Sequence, residues 1–157
     1  MNKQDIISNV IEMLGGDLME VERNIQNLHV TANEAEGRMQ SRYESQKSEV
    51  QMMASDMEVT KTALHNAILF LKNLQPGDSF LWVAPGSLIE TEQDGTAQWY
   101  FMVPFGGGKN IVSSETTVKT ITPDSKIGSA LQGGKPGDSI AVSLPAGEKH
   151  ISIVNIS

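Results

Sequence analysis

The chain of 157 residues contains no cysteine, which excludes disulfides, thiol nucleophiles and cysteine-based zinc sites together. Aromatic residues make up only 5% of it, so few side chains are available to stack on nucleobases or line an aromatic pocket. Positive charge is also short. Twelve Lys and Arg stand against 19 Asp and Glu, a formal charge of −7. Residues 1–75 hold 11 acidic and 7 basic groups, and residues 76–157 hold 8 and 5. Neither half offers the basic patch that phosphate neutralisation requires, so no direct nucleic-acid binding is expected. No apolar run approaches the roughly 20 residues of a membrane span. Met1–Ser8 is polar and charged apart from Ile6 and Ile7, unlike a signal peptide. A soluble cytoplasmic protein without membrane contact is the expectation.

What is present is periodicity. Apolar residues recur at Ile7, Ile11, Leu14, Leu18, Val21, Ile25 and Leu28, in alternating steps of four and three. That is the seam of a coiled coil, a stripe kept facing a partner helix. It fades across Thr31–Arg42 and resumes as Val50, Met53, Met57, Thr60, Leu64, Ala67, Leu71 and Leu74. Two seams around a polar gap predict an antiparallel helical hairpin over residues 1–75, with its tip near 31–42 and Gly37 at the reversal. Helix 1 starts near Asn2 or Lys3, with Asp5 in its first turn suiting the helix dipole. Gly15-Gly16 is either a soft spot in a continuous helix or a break, with Asp17 capping a new helix and Glu20 completing the box. Helix 2 runs from about Ser41 to Leu74. Met39, Met52, Met53 and Met57 read as flexible packing or a contact surface. The apolar turn Leu69-Phe70-Leu71 should pack against the second domain.

Pro76-Gly77 ends the hairpin, and residues 76–157 change to short strands and turns. Strands are predicted at Phe80–Ala84, Ser87–Thr91, Gln98–Val103, Asn110–Val112, Thr117–Ile121, Ser139–Leu144 and His150–Ile156. Pro85-Gly86 and Asp94-Gly95 supply turns, the latter of hairpin type. Asp124–Leu131 reads as a short helix capped by Asp124 or Ser125. Trp82 and Trp99 fall in strand patterns as core residues. Pro76-Gly-Asp-Ser-Phe echoes Pro136-Gly-Asp-Ser-Ile, which shared turn chemistry explains. Strands around one helix give an α+β domain.

Self-contained chemistry is missing. Gly106–Lys109 lacks the spacing of a phosphate loop and precedes a strand. His29, His65 and His150 are scattered, so no metal cluster forms. No Gly-x-Ser-x-Gly elbow occurs. The protein is therefore not expected to be an enzyme on its own.

The stretch Ile121-Thr-Pro-Asp-Ser-Lys-Ile-Gly-Ser-Ala-Leu-Gln-Gly-Gly-Lys-Pro-Gly-Asp-Ser-Ile140 is followed by Leu144-Pro-Ala-Gly-Glu148 and Ile151-Ser-Ile-Val-Asn-Ile156. It resembles the C-terminal domain of the bacterial GreA/GreB transcription elongation factors. That signature is a strand, a Ser/Asp-Ser-Pro cap, a small-residue helix ending in Leu-x-Gly-Lys, a Gly-Asp turn and a final strand. The hairpin fits as well, because these factors join a helical hairpin to an FKBP-like domain, and the resemblance then spans nearly the whole chain. It implies docking on RNA polymerase beside the secondary channel, with the hairpin entering that channel. Acidic tip residues of the family help hold a catalytic Mg²⁺ for cleavage of backtracked RNA, where a divalent ion needs carboxylate oxygens. Matching Tyr43 to the family's tip tyrosine puts Glu36 on its aspartate, Met39 on its first glutamate and Arg42 on its second. Glu36 is then the one candidate for sharing Mg²⁺ with the polymerase, and Glu34 and Glu44 contribute only if the loop turns differently. No cofactor of its own is implied. The docking residues become Asp124, Ser125 and Lys126, with Lys126 where the family has proline. The implied function is a polymerase-binding regulator without efficient transcript cleavage. Two other readings stay open: an adaptor whose coiled-coil arms bind another helix or self-associate, and, from fold resemblance alone, a prolyl isomerase.

Overall fold

The computed structural model describes the backbone of residues 1–34, 40–75 and 77–157, and side chains outside 32–43 and 76. Two long helices come first, α1 (Lys3–Glu34) and α2 (Gln40–Asn73). Next come β1 (Leu88–Gln93), β2 (Thr96–Met102), β3 (Asn110–Ser113) and β4 (Thr116–Ile121), then α3 (Lys126–Leu131), β5 (Ser139–Leu144) and β6 (Gly147–Ile156). The strands form one six-stranded sheet in the order β3-β4-β2-β1-β6-β5. Among the described residues only β2 and β4 run parallel. The α+β class and the order of helical hairpin before sheet are as the sequence predicts.

α1 runs unbroken through Gly15-Gly16, because the apolar seam holds its register across them and outweighs about 1 kcal/mol per glycine. Near its start α1 buries Ile6, Ile7, Val10 and Leu14, a wider stripe than a two-position seam. The reason is that this end touches two surfaces. Ile6, Ile7, Val10, Leu14, Leu64, Ala67, Ile68 and Leu71 share one core with Leu88, Phe101, Val103, Ile111 and Val118 of the sheet. The opposite face of the sheet packs Ile89, Tyr100, Met102, Ile121, Val142, Ile151 and Ile153 around Leu131 of α3. Alternate residues of β2 therefore enter different cores, Tyr100 and Met102 on one side and Phe101 on the other. A sheet covered on both faces explains why Trp-Tyr-Phe-Met-Val reads as a continuous apolar run. Further out, Ile25 and Ala54 are buried outside both cores, where the arms pack on each other.

Three expectations need correcting. Phe80–Ala84 is not a strand. Val83 donates its N–H to the Gly134 carbonyl (2.8 Å) and its carbonyl accepts from Gly133 (2.8 Å), while the Ala84 carbonyl accepts from the Ser87 N–H (3.0 Å) in a turn. The Pro85-Gly86 turn then redirects the chain, so β-prone residues find no ladder to join. Trp82 is consequently not core but 52% exposed, beside Leu81 at 74%; Trp99 does pack partly against the core on the hairpin side. On α2, Met53 is exposed and Ala54 takes the seam, since a small residue lets the two helices approach while the flexible methionine turns outward.

Candidate docking corner and hairpin tip

The hairpin is seated by two contacts beyond its apolar base. Gly106 has φ 80°, and a Cβ there would lie 2.5 Å from Leu14 Cδ2 and 3.3 Å from Leu64 Cδ2. Only glycine lets this loop press onto the seam. Lys109, in the same loop, pairs its ammonium with the Asp17 carboxylate. The glycine run, unsuited to phosphate, is thus the seat of the hairpin. α1 is also tied at its start. The Lys3 ammonium lies 4.4 Å from the centre of the Phe80 ring and donates to the Asp78 carbonyl (3.4 Å). Burial lowers the Lys3 pKa from 10.5, and the neighbouring Asp78 carboxylate partly offsets this.

At the far end, Glu34 closes α1 and Glu44 is exposed near the start of α2. Glu36 and Met39 lie outside the described residues, and the Glu34 side chain does too. Among the described residues no three acidic or histidine side chains gather as a cation site would need.

The α3 corner is built as the sequence suggests. Ser125 caps the helix, its Oγ accepting from the Gly128 N–H (3.0 Å) and donating to the Thr122 carbonyl (2.7 Å). A Cβ on Gly128 would fall 1.8 Å from that Thr122 carbonyl oxygen, so the position admits glycine alone. The cap holds Asp124 and Lys126 out to solvent on either side. The echoed Pro-Gly-Asp turns also match. Asp78 Oδ2 accepts from Gln75 N–H (2.9 Å), and Asp138 Oδ2 from Lys135 N–H (2.8 Å).

Sequence reasoning misses an apolar surface past the C-terminal end of α3. Val83's pairing with Gly133 and Gly134 places Leu81 and Trp82 next to the end of α3. An open groove of about 550 Å³ is lined by Phe70, Leu74, Asp78, Phe80 and Pro85. The signal is present as the run Phe80-Leu-Trp, but strand patterning sends its side chains to the core. The α3 side of the sheet packs Tyr100 and Met102 with Leu131.

Together these features define a two-helix hairpin rooted in one face of a small mixed sheet, with a capped short helix on the other. No family model matches the chain, and no curated protein matches it. Solved structures similar to it include GreA factor homologs. GreA factor homolog 1 (Gfh1) of Thermus thermophilus is 20% identical over 94% of both chains, with a TM-score of 0.39. A second structure of the transcription factor Gfh1 is 20% identical over 93% of this chain and 92% of that one, at 0.40. Thermus aquaticus Gfh1 is 21% identical over 92% of each, at 0.38. No helix of the described residues is long and apolar enough to cross a membrane.

Proposed function

We propose that this protein is an elongation-factor-like regulator that binds RNA polymerase. Its base docks by the corner at Asp124, Ser125 and Lys126, and its hairpin extends into the secondary channel. The observation that carries the reading is the seating of the arms. They share a core with the sheet at one end and continue beyond it, through buried Ile25 and Ala54, as a paired projection. A helix of 32 residues is about 48 Å long at 1.5 Å per residue, enough to carry the tip well clear of the base. The resemblance of Ile121–Ile156 to the family's docking module supports the other half. Exposed Leu81 and Trp82 add apolar area of the kind a protein partner buries.

The regulator acts without efficient transcript cleavage. Met39 and Arg42 occupy positions where the resembled family has glutamates, which leaves Glu36 with too few companion oxygens to hold a divalent ion. It is not an enzyme, brings no cofactor and works in the cytoplasm, where the polymerase is. A pull-down with core polymerase tests the reading. Native protein should be retained, and Asp124→Ala and Trp82→Ala should each weaken retention about tenfold, the effect of losing one good contact. Stalled complexes should show no added transcript cleavage. Failure of the native chain to bind would end the proposal; equal binding by both variants would remove the corner from it.

A further inference from the structure

The two edges of the sheet are finished differently. β3 has four residues, comes directly after the Lys109–Asp17 ion pair, and lies against α1. A short edge beside charge and under a helix is a poor template for another chain. β5 also has a helix, α3, against it, but the strand is longer and carries no charge. Ser139–Leu144 is six residues, Ser-Ile-Ala-Val-Ser-Leu, without charge, proline or glycine. It pairs with β6 in unbroken register from Ser139↔Ser152 to Leu144↔Gly147, so no bulge turns the edge away. Ile140, Val142 and Leu144 face the core under α3, while Ser139, Ala141 and Ser143 are exposed and small. Among the described residues, no backbone hydrogen bond other than the β6 ladder reaches residues 139–144.

We propose that β5 is a self-pairing edge, on which a second copy of this chain adds its own β5 antiparallel and joins the two sheets. A two-fold axis at Ala141 sets Ser139 opposite Ser143 and Ile140 opposite Val142. Small outward residues then meet small ones, and inward apolar residues meet apolar ones. The surface is self-complementary, as a two-fold interface must be. It is also the stretch where two copies, each carrying −7, meet without opposing charges strand to strand. Six residues from each copy make a small interface, so the association is weak and depends on concentration.

Sedimentation and light scattering over a concentration series test this. The mean mass of the native protein should climb toward twice the monomer's, and more readily in higher salt, where the net repulsion is screened. Ala141→Lys and Ser143→Lys should stay monomeric throughout, with native circular dichroism and melting. Amide exchange across residues 139–144 of the native protein should slow on concentrating, while that of 110–113 should not. A native chain monomeric at every concentration would overturn the proposal. So would a dimer that survives both lysine substitutions, which would place the contact on the arms or at Leu81 and Trp82. Exchange at 139–144 indifferent to concentration would overturn it even if the variants failed to fold. Polymerase binding is read in dilute protein, so its result stands apart from this one.

Discussion

At the scale of single residues, several positions are dictated by backbone geometry. Gly106 sits at positive φ with Leu14 where a side chain would be. Gly106→Ala should cost about 1–3 kcal/mol in urea unfolding, from left-handed strain and overpacking against the seam. Lys109→Ala, which removes only a partly exposed ion pair, should cost under about 1 kcal/mol. The β3–β4 turn is the opposite case, because non-glycine residues hold the strained conformation. Ser114 and Glu115 have φ of 48° and 66°, values that hairpin turns usually assign to Asn-Gly. Replacing them together, Ser114→Asn with Glu115→Gly, should raise stability by about 1 kcal/mol, measured as a higher denaturation midpoint at unchanged slope. The Asp94-Gly95 turn, at 52° and 76°, already has the residues its geometry favours. That contrast explains why one hairpin turn is legible in the sequence and the other is not.

At the scale of elements, the helices are legible because a seam of period near 3.5 repeats along both arms, and the seam outlasts Gly15-Gly16. Leu88, Tyr100, Phe101 and Met102 are legible as strand residues but not as residues of two separate cores, since a run buried on both faces carries no alternation. Phe80–Ala84 misleads because propensity says which residues suit a strand, not whether a ladder is within reach; it bonds instead to the Gly133-Gly134 loop and to the turn at Ser87. Within the candidate site, Ser125 is readable as a cap from chemistry alone. Leu81 and Trp82 are not readable as surface, because their exposure results from that failed strand. The division of the seam makes a prediction of its own. Leu64→Ala, in the shared core, should lower global stability by about 2–5 kcal/mol. Ile25→Ala, out on the paired arms, should instead speed amide exchange locally along residues 20–30 and 50–60, leaving the slowest-exchanging sheet amides unchanged.

At the scale of the molecule, the sheet is a platform with different tasks on its two faces. One face grips the base of the hairpin through Leu88, Phe101, Val103, Ile111 and Val118. The other supports α3, whose cap presents Asp124 and Lys126. A contact made at the corner is thereby linked through one packed layer to the direction in which the arms leave. The chain is acidic as a whole, and Leu81 and Trp82 are exposed, apolar area of the kind a protein partner covers.

The most direct measurement places a photo-crosslinker at Glu44 on the arm and, separately, at Asp124 on the corner, in complex with core polymerase. Crosslinks from position 44 should map to the interior of the polymerase near its active centre, and those from position 124 to its outer surface. Crosslinks from both positions to the same outer patch, or from position 44 to nothing within the enzyme, would contradict an arm that reaches inward from a docked base.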